Sequence, residues 1–213
     1  MPDFRNAPIR ILIVDDHPVV LAGLTSMLGT QAGIEVAGSA SSGEDALEML
    51  RNKPADLVLL DLRMPGMNGI DTLHALKRAK ISVRVIILTS FETDEDIYRA
   101  VQAGAQGYLL KDAPQSDMLE AIRAVHAGRR YFPRHIAERL AERMMRTNLT
   151  ARELEVLQML ARGLTNKQIG TALDISGNTV RNHVNSVIEK LEVSDRTEAA
   201  TTAIHRGLIE LNN

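Results

Sequence analysis

Residues 9–18 read IRILIVDDHP, a run of branched aliphatic residues that ends on two adjacent aspartates, a histidine and a proline. A short apolar run closed by polar residues and proline fits a strand buried on both faces. Comparable runs recur at IEVAG (34–38), LVLL (57–60), RVIILT (84–89) and GYLL (107–110). Helical patterns lie between them, for example Ala46, Leu47, Met49 and Leu50, and then Ile97, Ala100, Val101 and Ala103. Strands alternating with helices predict a doubly wound α/β fold, a five-stranded parallel sheet of about 125 residues.

Beyond that sheet the punctuation changes. All seven prolines lie at or before Pro133, and ten of the fourteen glycines at or before Gly128. A stretch so poor in breakers predicts helices only. Ile136, Leu140 and Met144 recur at a spacing of four, which marks an amphipathic helix. Four more helical segments follow. Thr150–Glu153 and Thr165–Gln168 have the form of capping boxes, in which a hydroxyl and the third residue's side chain satisfy each other's free N–H. Gly163 sits where a left-handed cap belongs, and Ser176 and Ser194 or Asp195 can start the last two helices.

Composition bounds the function. The chain has 213 residues, room for two small domains. Cysteine is absent, which excludes disulfides, thiolate zinc sites, iron–sulfur clusters and cysteine nucleophiles. Only 3% of residues are aromatic, too few for a base-stacking platform for single strands. No apolar run approaches the roughly 20 residues of a membrane span, and the first residues lack the basic-then-apolar signature of a signal peptide. These features predict a cytoplasmic protein.

The acidic residues are placed by the strands. Asp15 and Asp16 follow the first strand, Asp61 the third; Thr89 ends the fourth, and Lys111 follows the fifth. In an open parallel sheet ligands bind outside the carboxyl ends of the strands, so all five converge on one rim. Clustered carboxylates repel one another, and a hard divalent cation such as Mg²⁺ relieves that repulsion. A lysine and a threonine beside it supply a cation and a hydroxyl for a phosphoryl group, and an aspartate can itself be the nucleophile. His17 is read as a loop residue, because hard Mg²⁺ prefers oxygen.

ILIVDDHP (11–18), LVLLDLRMPGMNGID (57–71), IILTSF (86–91) and GYLLKD (107–112) resemble the receiver domain of bacterial two-component response regulators, over about residues 8–126. The resemblance implies that Asp61 is the phosphoacceptor. It implies that Asp15, Asp16 and Asp61 hold Mg²⁺ together with the backbone carbonyl of Arg63. Thr89 and Lys111 would bind phosphoryl oxygens, and Tyr108 would turn inward when Thr89 moves. A histidine kinase would be the phosphoryl donor. Many receivers place proline directly after the lysine; here Asp112 follows and Pro114 comes later. Aspartyl-phosphate phosphatases usually carry a second aspartate two residues after the first, where this chain has Arg63. The chain is therefore expected to catalyse only its own aspartyl phosphorylation and dephosphorylation. A second reading, a phosphorylation-independent regulator or interaction module, usually goes with a degraded acidic pocket, and here the pocket residues are intact.

In the helix expected near 177–191, Val180, Val184, Val187, Ile188 and Leu191 share one face, and Asn178, Arg181, Asn182, Asn185 and Glu189 the other. Arginine and asparagine match the edges of guanine and adenine. The whole stretch LTARELEVLQMLARGLTNKQIGTALDISGNTVRNHVNSVIEKLEVSDRTEA (149–199) resembles the LuxR-type helix-turn-helix of the NarL/FixJ class, over about 149–210. That resemblance makes 177–191 the recognition helix on double-stranded DNA. Arg181, Asn182 and Asn185 become base readers, Lys190 a backbone contact, and Lys167 and Thr179 phosphate contacts from helix starts. His183 is read as packed or backbone-bonded. The class uses its last helix for dimerisation, which puts Ala199, Ala200, Ala203 and Ile204 in a homodimer interface. RNA polymerase is a further candidate partner. Gly177, Asn178 and Glu192 depart from the class, which often has an acidic, a basic and a glycine residue there.

The expected organisation is thus a receiver (1–126), a basic linker with an amphipathic helix (127–147) and a helix-turn-helix domain (148–213). The net charge of −2 divides unevenly across the chain. Residues 1–125 carry 12 Lys+Arg against 17 Asp+Glu, residues 126–147 carry 6 against 2, and residues 148–213 carry 7 against 8. The linker arginines suit either acidic partners in the receiver or DNA phosphates. A near-neutral output domain predicts weak DNA binding by one copy and a reliance on dimerisation.

Overall fold

In the computed structural model, which describes residues 7–90 and 93–209, the five apolar runs form β1 (Ile9–Val14), β2 (Ile34–Ala40), β3 (Leu57–Leu60), β4 (Arg84–Thr89) and β5 (Gly107–Leu110). All pairings are parallel and the order is β2-β1-β3-β4-β5. Phe91 of the IILTSF motif lies outside the described residues. β2 runs two residues past the expected IEVAG, because a register shift between Ile11 and Leu12 lets Ser39 and Ala40 pair with Ile13 and Val14. α1 (Pro18–Gly29), α2 (Gly43–Asn52), α3 (Gly69–Arg78), α4 (Asp94–Ala103) and α5 (Gln115–His126) alternate with the strands.

Burial explains the sequence of the strands. Ile11, Ile13, Leu57, Leu59, Ile86, Leu88 and Leu109 meet Met118, Ala121, Ile122 and Val125 of α5 in one core. β3 is buried at all four positions, as a strand covered by helices on both sides requires. Tyr131, beyond α5, extends the β5 edge: it accepts from the Tyr108 N–H and donates to the Gln106 carbonyl. Such cover protects an otherwise open sheet edge.

The remaining elements are α6 (Arg134–Met145), α7 (Ala151–Ala161), α8 (Asn166–Leu173), α9 (Gly177–Leu191) and α10 (Arg196–His205). Both expected capping boxes form, on Thr150 with Glu153 and on Thr165 with Gln168. Ser176 caps α9, and Asp195 rather than Ser194 caps α10. Gly163 has the left-handed φ expected of it, +83°. Glu192 also adopts that conformation, at φ 57°, so the cap geometry persists without glycine and carries its strain of roughly 1 kcal/mol. Asp174, ending α8, does the same at φ 52°.

The chain divides into two compact units, one of Met1–Glu92 with Ile97–Glu138 and one of Thr93–Asp96 with Arg139–Asn213. Leu157, Val187, Leu191, Ala199, Ala203 and Ile209 form one core of the second unit, and Val156, Leu160, Ile169, Val180 and Val184 another. This corrects part of the dimer expectation. Ala199 and Ala203 are fully buried, so their small size serves the close approach of α10 to α7 and α9. On α10, Ile204 is 40% exposed and Ala200 half-buried, which leaves that edge of the helix available.

Candidate functional site

The sheet order reverses beside β1, with β2 on one side and β3 on the other. In open α/β sheets such a reversal is where ligands bind, outside the carboxyl ends of the strands. Asp15 continues β1 and Asp61 continues β3, and the Asp61 N–H donates to the Val14 carbonyl at 2.8 Å, which fixes the two carboxylates side by side. Lys111 follows β5, its N–H donating to the Thr89 carbonyl at 2.9 Å. Lys111 Nζ reaches Asp15 Oδ2 at 2.6 Å and Asp61 Oδ2 at 2.8 Å. Burial pulls the Lys111 ammonium's pKa down, but the hydrogen bonds to Asp15 and Asp61 outweigh it, so its pKa lies above the ordinary lysine value. Asp15, Asp61, Thr89 and Tyr108 are buried. The inward placement implied for a switched Tyr108 is thus its placement in this structure.

Gly69 was not singled out by sequence, yet it shapes this pocket. A Cβ there would lie 2.4 Å from the Asp61 carbonyl oxygen and 2.8 Å from the Leu62 Cα, both backbone atoms that cannot step aside. The start of α3 thereby packs directly on the segment that presents Asp61. Among the described residues no peptide bond is cis, so the loop after Lys111 is trans throughout.

Asp15, Asp16, His17 and Asp61 each offer a ligand atom, and these atoms all lie within 4.8 Å of one another. Asp16 Oδ1 is shut off from solvent and accepts no hydrogen bond. An orphaned buried carboxylate oxygen among other carboxylates is what a hard cation needs, so the residues fit Mg²⁺. Arg63 is exposed, and its N–H makes a long contact of 3.4 Å to Asp61 Oδ1.

On α9, Arg181, Asn182 and Asn185 are exposed on one face while Val180, Val184 and Val187 are buried on the other. A groove beside them is lined by Asn166, Lys167, Gly170, Thr171, Ser176 and Arg181, among others. Lys167 is exposed at the start of α8 and Thr179 at the start of α9, where the Thr179 N–H donates to Ser176 Oγ. Gly170 keeps the turn tight, since a Cβ there would come within 2.7 Å of the Ile175 carbonyl.

The expectation for Lys190 is corrected: Nζ donates to both carboxylate oxygens of the buried Glu153, at 2.9 and 2.7 Å. Ser186 Oγ donates to the same carboxylate at 2.6 Å. Glu153, legible in the sequence only as a cap residue, therefore ties α7 to the recognition helix candidate. Of the basic stretch, Arg139 and Arg146 donate to Asp94 and Arg143 to Glu95, all inside the second unit. Three of its six arginines thus have carboxylate partners within that unit, and Arg129, Arg130 and Arg134 are exposed.

No helix among the described residues is long and apolar enough to cross a membrane. Residues 11–123 match the response regulator receiver domain family, and residues 147–203 the bacterial regulatory proteins of the luxR family. The Response regulator protein VraR of Staphylococcus saprophyticus is 38% identical over 208 residues, 95% of this chain and 100% of the relative. The Nitrate/nitrite response regulator protein NarP of Escherichia coli is 41% identical over 199 residues, 90% of this chain and 93% of the relative. Among solved structures, a complex of the two-component response regulator RcsB with DNA is similar at a TM-score of 0.71. It has 25% identity, with 93% of this chain and 98% of that one covered.

Proposed function

The chain belongs to the two-component response regulators that join a receiver to a LuxR-type DNA-binding domain, and on that premise we propose a transcription regulator activated by phosphorylation of Asp61. The observation that carries the proposal is Lys111 Nζ seated between Asp15 and Asp61, on the rim where Thr89 also ends its strand. We assign residues 1–126 to the receiver, 127–147 to the linker and 148–213 to the DNA-binding domain.

A carboxylate oxygen of Asp61 attacks the phosphorus of a phosphohistidine on the partner kinase. The new O–P bond forms as the P–N bond breaks, and the imidazole leaves with its electron pair. Asp15, Asp16 and Asp61, with the Arg63 carbonyl, would hold Mg²⁺, which supplies positive charge for the phosphoryl oxygens. Lys111 adds a second positive charge, and the Thr89 hydroxyl donates to one phosphoryl oxygen. Because the Lys111 N–H is bonded to Thr89, a shift of Thr89 toward the phosphoryl group is felt in β5, which carries Tyr108. Activation favours a homodimer in the cytoplasm that reads inverted half-sites on double-stranded DNA, and RNA polymerase is a further partner. The exposed edge of α10, Ala200 and Ile204, is the part of the expected dimer surface that remains available.

DNA readout is tested on a site obtained by selection with the activated full chain. Arg181→Ala is expected to cost about 1–3 kcal/mol of specific affinity while non-specific binding changes little. Lys167→Ala is expected to weaken binding to all sequences and lower the salt slope by about one. Equal loss on specific and random DNA for Arg181→Ala would remove it from the base readers.

A further inference from the structure

We propose that the second unit binds a single small oxyanion of the phosphate class, in a basic cavity where the end of α6 meets the ends of α9 and α10. None of the residues assigned above to the acidic pocket or to base reading lines this cavity.

Four cations from separate parts of the chain converge there. Arg143 comes from the last turn of α6 and Arg146 from just beyond it, Lys190 from the last turn of α9, and Arg206 from the C-cap of α10. Leu149, Leu191 and Leu208 complete the wall. The volume is about 20 Å³. One water needs roughly 10–15 Å³, so the space takes a small ion and excludes a nucleotide. A phosphate of the DNA backbone, which arrives with its sugars attached, is excluded for the same reason.

Three of the four cations already have carboxylates. Arg143 donates to Glu95, Arg146 to Asp94 and Lys190 to Glu153. Arg206 differs. Its Nη1 reaches the Leu191 carbonyl at 3.3 Å, and among the described residues its side chain has no other hydrogen bond and no ion pair. A guanidinium carries five N–H donors, so most of this one's are unused. Asp94 is committed elsewhere: Arg139 holds its Oδ1 at 2.9 Å and Arg146 its Oδ2 at 2.6 Å. Burial pushes the Arg206 pKa down, and Arg146 and Arg143 push the same way, against the opposite pull of Asp94 and Glu192. The half-buried guanidinium therefore sits in a positive field that its neighbouring carboxylates do not cancel.

An oxyanion supplies what is missing. Its oxygens match the planar fork of a guanidinium, and its charge offsets the repulsion between Arg206 and the two linker arginines. The leucine wall lowers the local dielectric and strengthens that attraction. Once occupied, the site joins α6 to the ends of α9 and α10, so binding stabilises the second unit by mass action.

The test uses the full chain without Mg²⁺, with inorganic phosphate as the probe and potassium chloride as the control at equal ionic strength. The readout is the methyl resonances of Leu149, Leu191 and Leu208. Saturable shifts at these methyls are expected in the wild type. Arg206→Gln is expected to weaken binding about tenfold or more. Arg206→Lys, which keeps the charge and loses the fork, is expected to weaken it less. Neither variant breaks an ion pair among the described residues, so both keep the fold needed for the comparison. No saturable shift at these methyls in the wild type, or equal affinity in the wild type and Arg206→Gln, overturns the proposal. Shifts that appear only with duplex DNA overturn it too, by giving these cations to the DNA backbone.

Discussion

Asp61→Asn is expected to abolish covalent labelling of the chain by radioactive acetyl phosphate, with the folded state retained. The reason lies in where the carboxylate sits. Asp61 is nearly inaccessible, held beside Asp15 by its N–H bond to Val14 and facing Lys111 at 2.8 Å. An amide in its place has almost the same shape but no nucleophilic oxygen of comparable strength. It also removes one of three mutually repelling charges while Asp15 keeps Lys111 paired at 2.6 Å. Thermal stability should therefore hold or rise. Acid-stable label in place of the base-labile acyl phosphate, or undiminished labelling in the variant, would place the phosphoryl group elsewhere.

The second large effect is on stability, from Glu153→Gln. Glu153 is 5% exposed and accepts hydrogen bonds from Lys190, Ser186 and the Thr150 N–H. Burial alone would raise its pKa, but those bonds, led by Lys190, bring it down from 4.5 to about 2. A carboxyl depressed in the folded state contributes stability that is complete above its unfolded value and lost as pH falls through the folded one. The window is therefore from about pH 5 down to about pH 2, and its size is about 3 kcal/mol. Glu153→Gln leaves Lys190 beside a neutral amide and should cost a similar amount at pH 7, about 3 kcal/mol. Urea unfolding monitored at the Val184 and Val187 methyl resonances reads this directly, since both pack in the second unit's cores. The wild type should lose stability on acidification through that window, and the variant should show a flatter profile. A variant as stable as wild type at pH 7 would show that the network contributes little.

How far the sequence could be read depended on which physical signal each residue carries. Strand runs and their polar ends are local patterns, and Asp15, Asp61, Thr89 and Lys111 fell on one rim because the topology rule for parallel sheets is nearly free of exceptions. The caps of α7, α8 and α9 were equally legible, since a capping residue and its partner lie three positions apart. What depends on distant neighbours was not. Ala199 and Ala203 fit a tight interface, but small side chains are equally what α10 needs to approach its own domain, and no local pattern separates the two. Lys190 has the charge for a phosphate contact, and only the fold brings it to Glu153, 37 residues away. Gly69 and Gly170 are required by backbone atoms that approach from beyond their own helices. His17 is held beside Asp15 by its backbone N–H and its ring nitrogen, which both bond Asp15 Oδ1, contacts that no sequence pattern displays.

On the proposed function, phosphorylation at the acidic pocket controls DNA binding by the helix-turn-helix. The most direct measurement is the affinity and stoichiometry of the full chain on its selected operator, with and without beryllofluoride and Mg²⁺. Tighter binding, two chains per operator and a sharper drop with salt are expected when the phosphoryl mimic is present, with none of these changes in Asp61→Asn. Equal affinity and equal stoichiometry in both conditions for the wild type would contradict it.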